Sequence, residues 1–133
     1  MINNEELIQK AASVIKPRKV GEFLMGDVGC ALVTDKNNIY LGVSIDTGSG
    51  MGFCAEHNAL GSMITANEYK IKKIVAVWKN DKGDLFILSP CGRCREFMRQ
   101  TNKENLEADI LLGKDRAVKL KELLPYNDWF HKL

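Results

Sequence analysis

Three cysteines and one glutamate, in two short blocks, carry the chemistry open to this chain. The first block is Cys54-Ala55-Glu56 and the second is Pro90-Cys91-Gly92-Arg93-Cys94. Zinc favours soft thiolates or imidazoles in a tetrahedron, so three thiolates can hold the ion and leave its fourth position open. Cys91 and Cys94 are separated by two residues, which lets one helical turn present both sulfurs to one ion. Cys54 comes from a distant segment and would bring a second helix to the same point. Glu56 is poorly placed to be a ligand beside Cys54, because side chains two apart on a helix do not face each other. It can instead face the open position, accept a proton from water there and pass it on.

Charge sets a further demand. Thiolates at helix N-termini are favoured by exposed backbone N–H groups and the positive end of the helix dipole. Three of them on a zinc dication leave a surplus negative charge, which blunts the ion's ability to acidify water. Compensating donors are therefore expected, and Arg93, Arg95 and His57 are the candidates near in sequence. A proton carrier in this setting suits hydrolytic deamination at an amidine-type carbon. The carboxyl would protonate a ring nitrogen and then the departing amine.

Two plainer readings compete. Cys-x-x-Cys alone is a common redox motif at a helix N-terminus. A closed structural zinc site would need a fourth ligand, for which Cys30 or His57 is available. Cys30 lies in an apolar run and reads as a small core residue. His57 reads as a neighbour of the site or a helix-surface residue rather than a ligand. His131 reads as solvent-exposed, Trp78 as core at a strand end, and Trp129 with Phe130 as core or a subunit contact.

Both blocks need helices behind them. Residues 4–16 place Leu7, Ile8, Ala11, Ala12, Val14 and Ile15 on one helical face, capped by Asn3 or Asn4 and stopped by Pro17. Residues 18–27, with Gly21 and Gly26, read as a connection. Residues 28–34 and 39–45 read as a hairpin around Asp35-Lys36-Asn37-Asn38. Small residues at Gly29, Cys30 and Ala31 would let a helix approach the sheet closely. Asp46 to Gly52 is a glycine-containing loop that lacks the Gly-Lys-Ser/Thr of a phosphate loop and can form one wall of a pocket. A helix is predicted over 53–67, strands over 71–78 and 85–88, and a helix from Cys91 to about Gln100. A strand follows over 109–112, then a strand and one helical turn over 117–124. This order predicts an α/β fold, with helices packed on a mixed sheet and both blocks at helix N-termini.

Size and composition fit. The chain has 133 residues, which points to a single domain over residues 1–133 that can bury a core without disulfides. A net charge of +2, with no basic block, does not suggest nucleic-acid binding; a local basic patch remains at Arg93, Arg95 and Arg99. The first residues lack the pattern of a secretory signal, and no apolar run is long enough to span a bilayer. A cytoplasmic setting is expected, where four cysteines favour metal or catalysis over disulfides.

The sequence resembles the cytidine deaminase family, in its small single-domain form, and also the blasticidin-S deaminase branch of that family. The matching blocks are 28–32, Cys54-Ala55-Glu56 with Ala59-Leu60, Ser89-Pro90-Cys91-Gly92-Arg93-Cys94-Arg95-Glu96, and Glu122-Leu123-Leu124-Pro125. The resemblance implies a three-layer αβα fold on a mixed sheet of about five strands, one zinc per chain and a homotetramer. It implies Cys54, Cys91 and Cys94 as zinc ligands, Glu56 as the proton shuttle, and a small nucleoside as substrate, met by the backbone of Ala55 and Ser89. The family's Asn-x-Glu pair, which holds the ribose, falls here on Ser44 and Asp46. Other departures are Gly26 where an aromatic is common, a shorter loop before Cys54, and His57 in place of a charge-balancing arginine. They motivate a second reading, a zinc-stabilised module of the same fold with little or no catalysis. Polynucleotide editing is a third reading, which the short chain and near-balanced charge do not favour.

Overall fold

The computed structural model describes all residues from Met1 to Leu133. Helix α1 (Asn4–Ser13) starts at Asn3, whose side chain accepts a hydrogen bond from the Glu6 amide at 2.8 Å. Strands β1 (Arg18–Val20), β2 (Phe23–Thr34) and β3 (Ile39–Asp46) follow, then helix α2 (Ala55–Thr65). Strands β4 (Ile71–Lys79) and β5 (Leu85–Leu88) lead to helix α3 (Gly92–Thr101) and a 3-10 turn over Lys103–Glu107. Strands β6 (Asp109–Gly113) and β7 (Arg116–Lys119) and the single turn α4 (Leu120–Leu123) complete the chain.

The seven strands form one mixed sheet. The backbone of the sheet runs β3-β2-β4-β6-β7, with β4 and β6 parallel and the other pairs antiparallel. The outer edge of β4 is shared. Lys73 and Ile74 pair with β6, and from Ala76 onward the strand pairs with β5 instead. Two short strands widen the sheet. One, β7, was anticipated near its place. The other, β1, lies in the stretch expected to be a connection, where 18–20 pair with 23–25 around Gly21 at φ +66°.

Alternation along the central strands divides the core in two, as period-2 side chains must. Ala31, Val33, Val75, Val77 and Leu111 face α1 and pack on Leu7, Ile8 and Ala11. Cys30, Leu32, Ile74, Ala76 and Ile110 face the other way and pack on Ala55, Ala59, Leu60 and Met63 of α2 and on Cys94 and Met98 of α3. The result is the αβα layering expected. Cys30 is fully buried in this second core, as its apolar surroundings implied.

Two glycines let helices lie close to the sheet. A Cβ on Gly29 would come 2.1 Å from the Ala11 carbonyl oxygen, and one on Gly42 would come 2.3 Å from the Ala59 amide nitrogen. The second approach seats α2 on β3. Asn58 adds a bond there, its Oδ1 accepting from the Val43 amide at 2.9 Å. The position of Cys54 and Glu56 at the start of α2 therefore depends on the sheet itself.

The far end of α3 is fixed by Asn105, which is fully buried. Its Oδ1 accepts from the Ile71 amide at 2.8 Å, and its Nδ2 donates to the carbonyls of Tyr69 and Met98 at 3.0 and 2.9 Å. A buried amide engaged this fully contributes to stability; with a partner removed it would cost about 1–3 kcal/mol. No helix of the protein is long and apolar enough to cross a membrane.

Candidate metal centre and adjoining cavity

Cys54 is the N-cap of α2 and Cys91 the N-cap of α3, and neither side chain caps its own helix by a hydrogen bond. Their sulfurs are thus free to turn outward, and they meet. Cys54 Sγ lies 3.5 Å from Cys91 Sγ, and Cys91 Sγ lies 3.4 Å from Cys94 Sγ. All three sulfurs fall within 4.8 Å of one another, and all four cysteines are free thiols. Zinc–sulfur bonds of about 2.3 Å in a tetrahedron place sulfurs about 3.8 Å apart, so this donor set fits zinc.

Neither proposed fourth ligand joins the group. Cys30 and His57 both stay outside the 4.8 Å cluster, so three cysteines are the candidate protein ligands. The environment of the three thiols is graded. Cys94 is fully buried and Cys91 is exposed. Burial, with the nearby Glu56 carboxyl, pushes the Cys94 thiol far up. For Cys91 burial also raises the pKa, but it is outweighed by the amides of Cys94 and Arg93 and by the neighbouring thiols, so the net shift is down. Burial raises Cys54. The amides at the start of α3 thus favour the thiolate at its N-cap, as the helix geometry requires.

A cavity of about 460 Å³ opens onto this cluster. Its lining includes Glu56, Cys54 and Cys91, with Ser44, Asp46, Thr47, Leu88, Ser89 and Arg93. The Ile45–Phe53 backbone pair, with both hydrogen bonds at 3.0 Å, closes the neck of the 46–52 loop and holds it beside the cavity. Glu56 is only 6% exposed, and burial pushes its carboxyl pKa up against the opposing effect of its own backbone amide. A carboxyl so placed holds a proton more readily than one in water.

All four residues expected to meet a substrate, Ser44, Asp46, Ala55 and Ser89, line this cavity. They differ in what they offer. Ser44 is buried, and its Oγ accepts from the Val28 amide at 3.0 Å where the β2–β3 pairing is interrupted by a bulge. Its hydroxyl proton and one remaining lone pair are what it can offer a ligand. Asp46 is exposed at the mouth.

The charge-compensating candidates separate. Arg95 does not serve the sulfurs. Its guanidinium donates to the Pro90 carbonyl at 2.7 Å, the Leu123 carbonyl at 2.9 Å and Ser89 Oγ at 3.0 Å, so it braces the turn before Cys91 against α4. Arg93 lines the cavity. His57 lies against the thiol cluster, with Nδ1 3.2 Å from Cys94 Sγ. Burial and then the Arg93 charge hold its pKa below the usual value. Thr47, Gly50 and Gly52 line the cavity, as expected of the 46–52 loop, whereas Phe53 and Leu88 are cavity residues the sequence reading does not name. Only the position of Phe53, directly before Cys54, offered a signal.

Comparison with known proteins agrees with this geometry. Residues 1–107 match the family model described as the cytidine and deoxycytidylate deaminase zinc-binding region. The chain belongs to that family. It is 34% identical over 107 residues to a cytidine deaminase of Mycoplasma genitalium, covering 77% of this chain and 78% of that one. It is 31% identical over 103 residues to the blasticidin-S deaminase of Bacillus cereus, covering 74% of each. Among solved structures it superposes on the cytidine deaminase of Burkholderia pseudomallei with a TM-score of 0.74 at 25% identity, over 94% of this chain and 98% of that one. The Bacillus anthracis cytidine deaminase gives a TM-score of 0.75 at 23% identity, over 95% and 89%. The family is one of zinc-dependent hydrolases, and the three-thiol cluster is where its metal fits.

Proposed function

We propose that this protein hydrolytically deaminates a free cytosine nucleoside to its uracil form with release of ammonia. The substrate class comprises cytidine, deoxycytidine and modified analogues of the blasticidin type. The observation that carries the reading is the cavity of about 460 Å³ lined by the buried Glu56 and by Cys54 and Cys91, two of the three converging thiols. That volume lies in the range of small-molecule sites.

Cys54, Cys91 and Cys94 hold the metal in this reading. Zinc, when bound there, supplies the Lewis acidity that makes water nucleophilic near neutral pH. Glu56 takes the proton from the attacking water and delivers it to the pyrimidine ring nitrogen. It then carries the second proton of that water, from the hydroxyl added to the ring carbon, to the departing amine, so that the carbonyl forms as the carbon–nitrogen bond breaks and ammonia leaves as a neutral molecule. The backbone at Ala55 and Ser89 orients the pyrimidine, and Ser44 and Asp46 meet the sugar or its substitute. The walls formed by Phe53 and Leu88 exclude water around the ring.

The whole chain, 1–133, acts as one domain in this account, since a continuous sheet joins its first and last strands. A homotetramer is inherited from the family resemblance; Trp129 and Phe130, 62% and 84% exposed, are apolar surface that subunit contacts would cover. A cytoplasmic location accords with free thiols at the site. Polynucleotides are not expected partners, given a net charge of +2.

One observation favours a weaker enzyme or a non-catalytic module. Ser44 uses one of its two acceptor sites on the Val28 amide and has a shorter side chain than asparagine, so Ser44 and Asp46 offer a sugar fewer and shorter-reaching hydrogen bonds than an Asn-x-Glu pair would. Ammonia release from zinc-loaded protein decides between the two. Release from cytidine, deoxycytidine or blasticidin S supports deamination. Zinc-replete protein that releases none from any of them is the module.

A further inference from the structure

We propose that His57 is a positioning residue of the metal centre, donating Nδ1–H to the Cys94 sulfur and offsetting the surplus thiolate charge through a neutral hydrogen bond. The inference rests on the three-thiol site of the preceding reading. Cys54 and His57 are three residues apart, so they share one face of α2 and point toward the same spot. Cys91 and Cys94 have the same spacing on α3.

The three sulfurs are not served alike. Cys91 sits at the N-cap, where the unpaired amides of the first turn of α3 converge. Cys94 lies one turn further in and is fully buried, so solvent cannot screen its charge. What stands against its sulfur is His57 Nδ1 at 3.2 Å. A sulfur that must be anionic to bind metal accepts a hydrogen bond, so the imidazole proton belongs on Nδ1.

The ring is held for this task. It stacks on Phe97 with centroids 4.5 Å apart and planes 18° from parallel, and Phe53 lies at 6.3 Å. His57 comes from α2, whereas Cys94 and Phe97 come from α3, so the contact also ties the two helices that supply the ligands. A hydrogen bond to a coordinating thiolate draws electron density from the sulfur and leaves the metal a stronger Lewis acid. His57 itself touches neither substrate nor metal in this arrangement.

The test separates donor from packing. In zinc-loaded wild-type protein, nitrogen NMR of the imidazoles is expected to show His57 protonated on Nδ1; the chain has two histidines, so assignment is simple. A bare Nδ1 with the proton on Nε2 overturns the proposal without any variant. His57→Phe keeps the stack and removes the donor, and His57→Asn places an amide N–H near Nδ1 and removes the ring. Zinc affinity by chelator competition is expected to fall about 10–100-fold in His57→Phe and to stay close to wild type in His57→Asn. In the cobalt-substituted proteins, the sulfur-to-metal charge-transfer band is expected to move to lower energy in His57→Phe alone. The reverse order, or no difference between either variant and wild type, overturns the proposal. None of these readouts uses a substrate, so their failure leaves the deamination reading standing, and a failed ammonia assay leaves them interpretable.

Discussion

Glu56→Gln protein is expected to bind zinc as the wild type does and to turn over substrate about 100–10,000-fold more slowly. The amide is nearly the same shape as the carboxyl and cannot carry a proton. The loss corresponds to about 3–5 kcal/mol of transition-state stabilisation. Glu56 is 6% exposed and its carboxyl is pushed up by burial, so the folded protein binds its proton more tightly than the unfolded chain does. By linkage, the metal-free protein therefore loses stability as pH rises from the ordinary carboxylate range through the raised value. The glutamine variant lacks that loss and, without metal at neutral pH, is expected to be at least as stable as wild type. Kinetics, zinc content and a thermal melt on one preparation check all three statements. Full turnover in the variant would remove Glu56 from the mechanism.

Cys91→Ala is expected to abolish tight metal binding while leaving the metal-free fold close to wild type. Cys91 is exposed, so little packing goes with it. The ligand set falls to two thiols, too few for a tight zinc site. The variant is expected to purify with far less than the wild-type zinc content and to release no ammonia. Metal that binds only the folded state stabilises it by about 4 kcal/mol when free metal exceeds its dissociation constant by about 1,000-fold. A chelator should therefore lower the wild-type melting temperature and leave that of Cys91→Ala unchanged. A variant that retained its zinc and its response to chelator would show that the metal is held elsewhere.

Much of the site was legible because it is local. Cys91 and Cys94 lie within one helical turn, and Glu56 follows Cys54 by two residues; that the two blocks meet at one point was implied by the family resemblance. The buried central strands were legible for a similar reason, since runs such as 28–34 and 71–78 are bounded by turn residues. The β1 pairing was not. All three of its residues are exposed, so it has no apolar face for alternation to reveal. Gly42 and Asn105 act through what meets them in space. A glycine in a strand and an asparagine after a helix look ordinary until α2 lies on one and three backbone segments converge on the other.

The compensating charges divide along the same line. Arg95 directly follows Cys94 in sequence yet does not serve its sulfur, because the turn before Cys91 and the end of α4 claim its donors. His57 reaches Cys94 only because α2 and α3 lie side by side. Trp78 is half-buried against the exposed Phe86 rather than enclosed, since β5 covers the strand end with a single narrow pairing.

The central claim is a zinc ion bound by sulfur from the tips of α2 and α3 with one position left for water. X-ray absorption at the zinc edge of purified, substrate-free protein tests it most directly. The account predicts about three sulfur neighbours near 2.3 Å and one oxygen near 2.0 Å. Four sulfurs, an imidazole in the shell, or protein without zinc after metal-replete expression would contradict it.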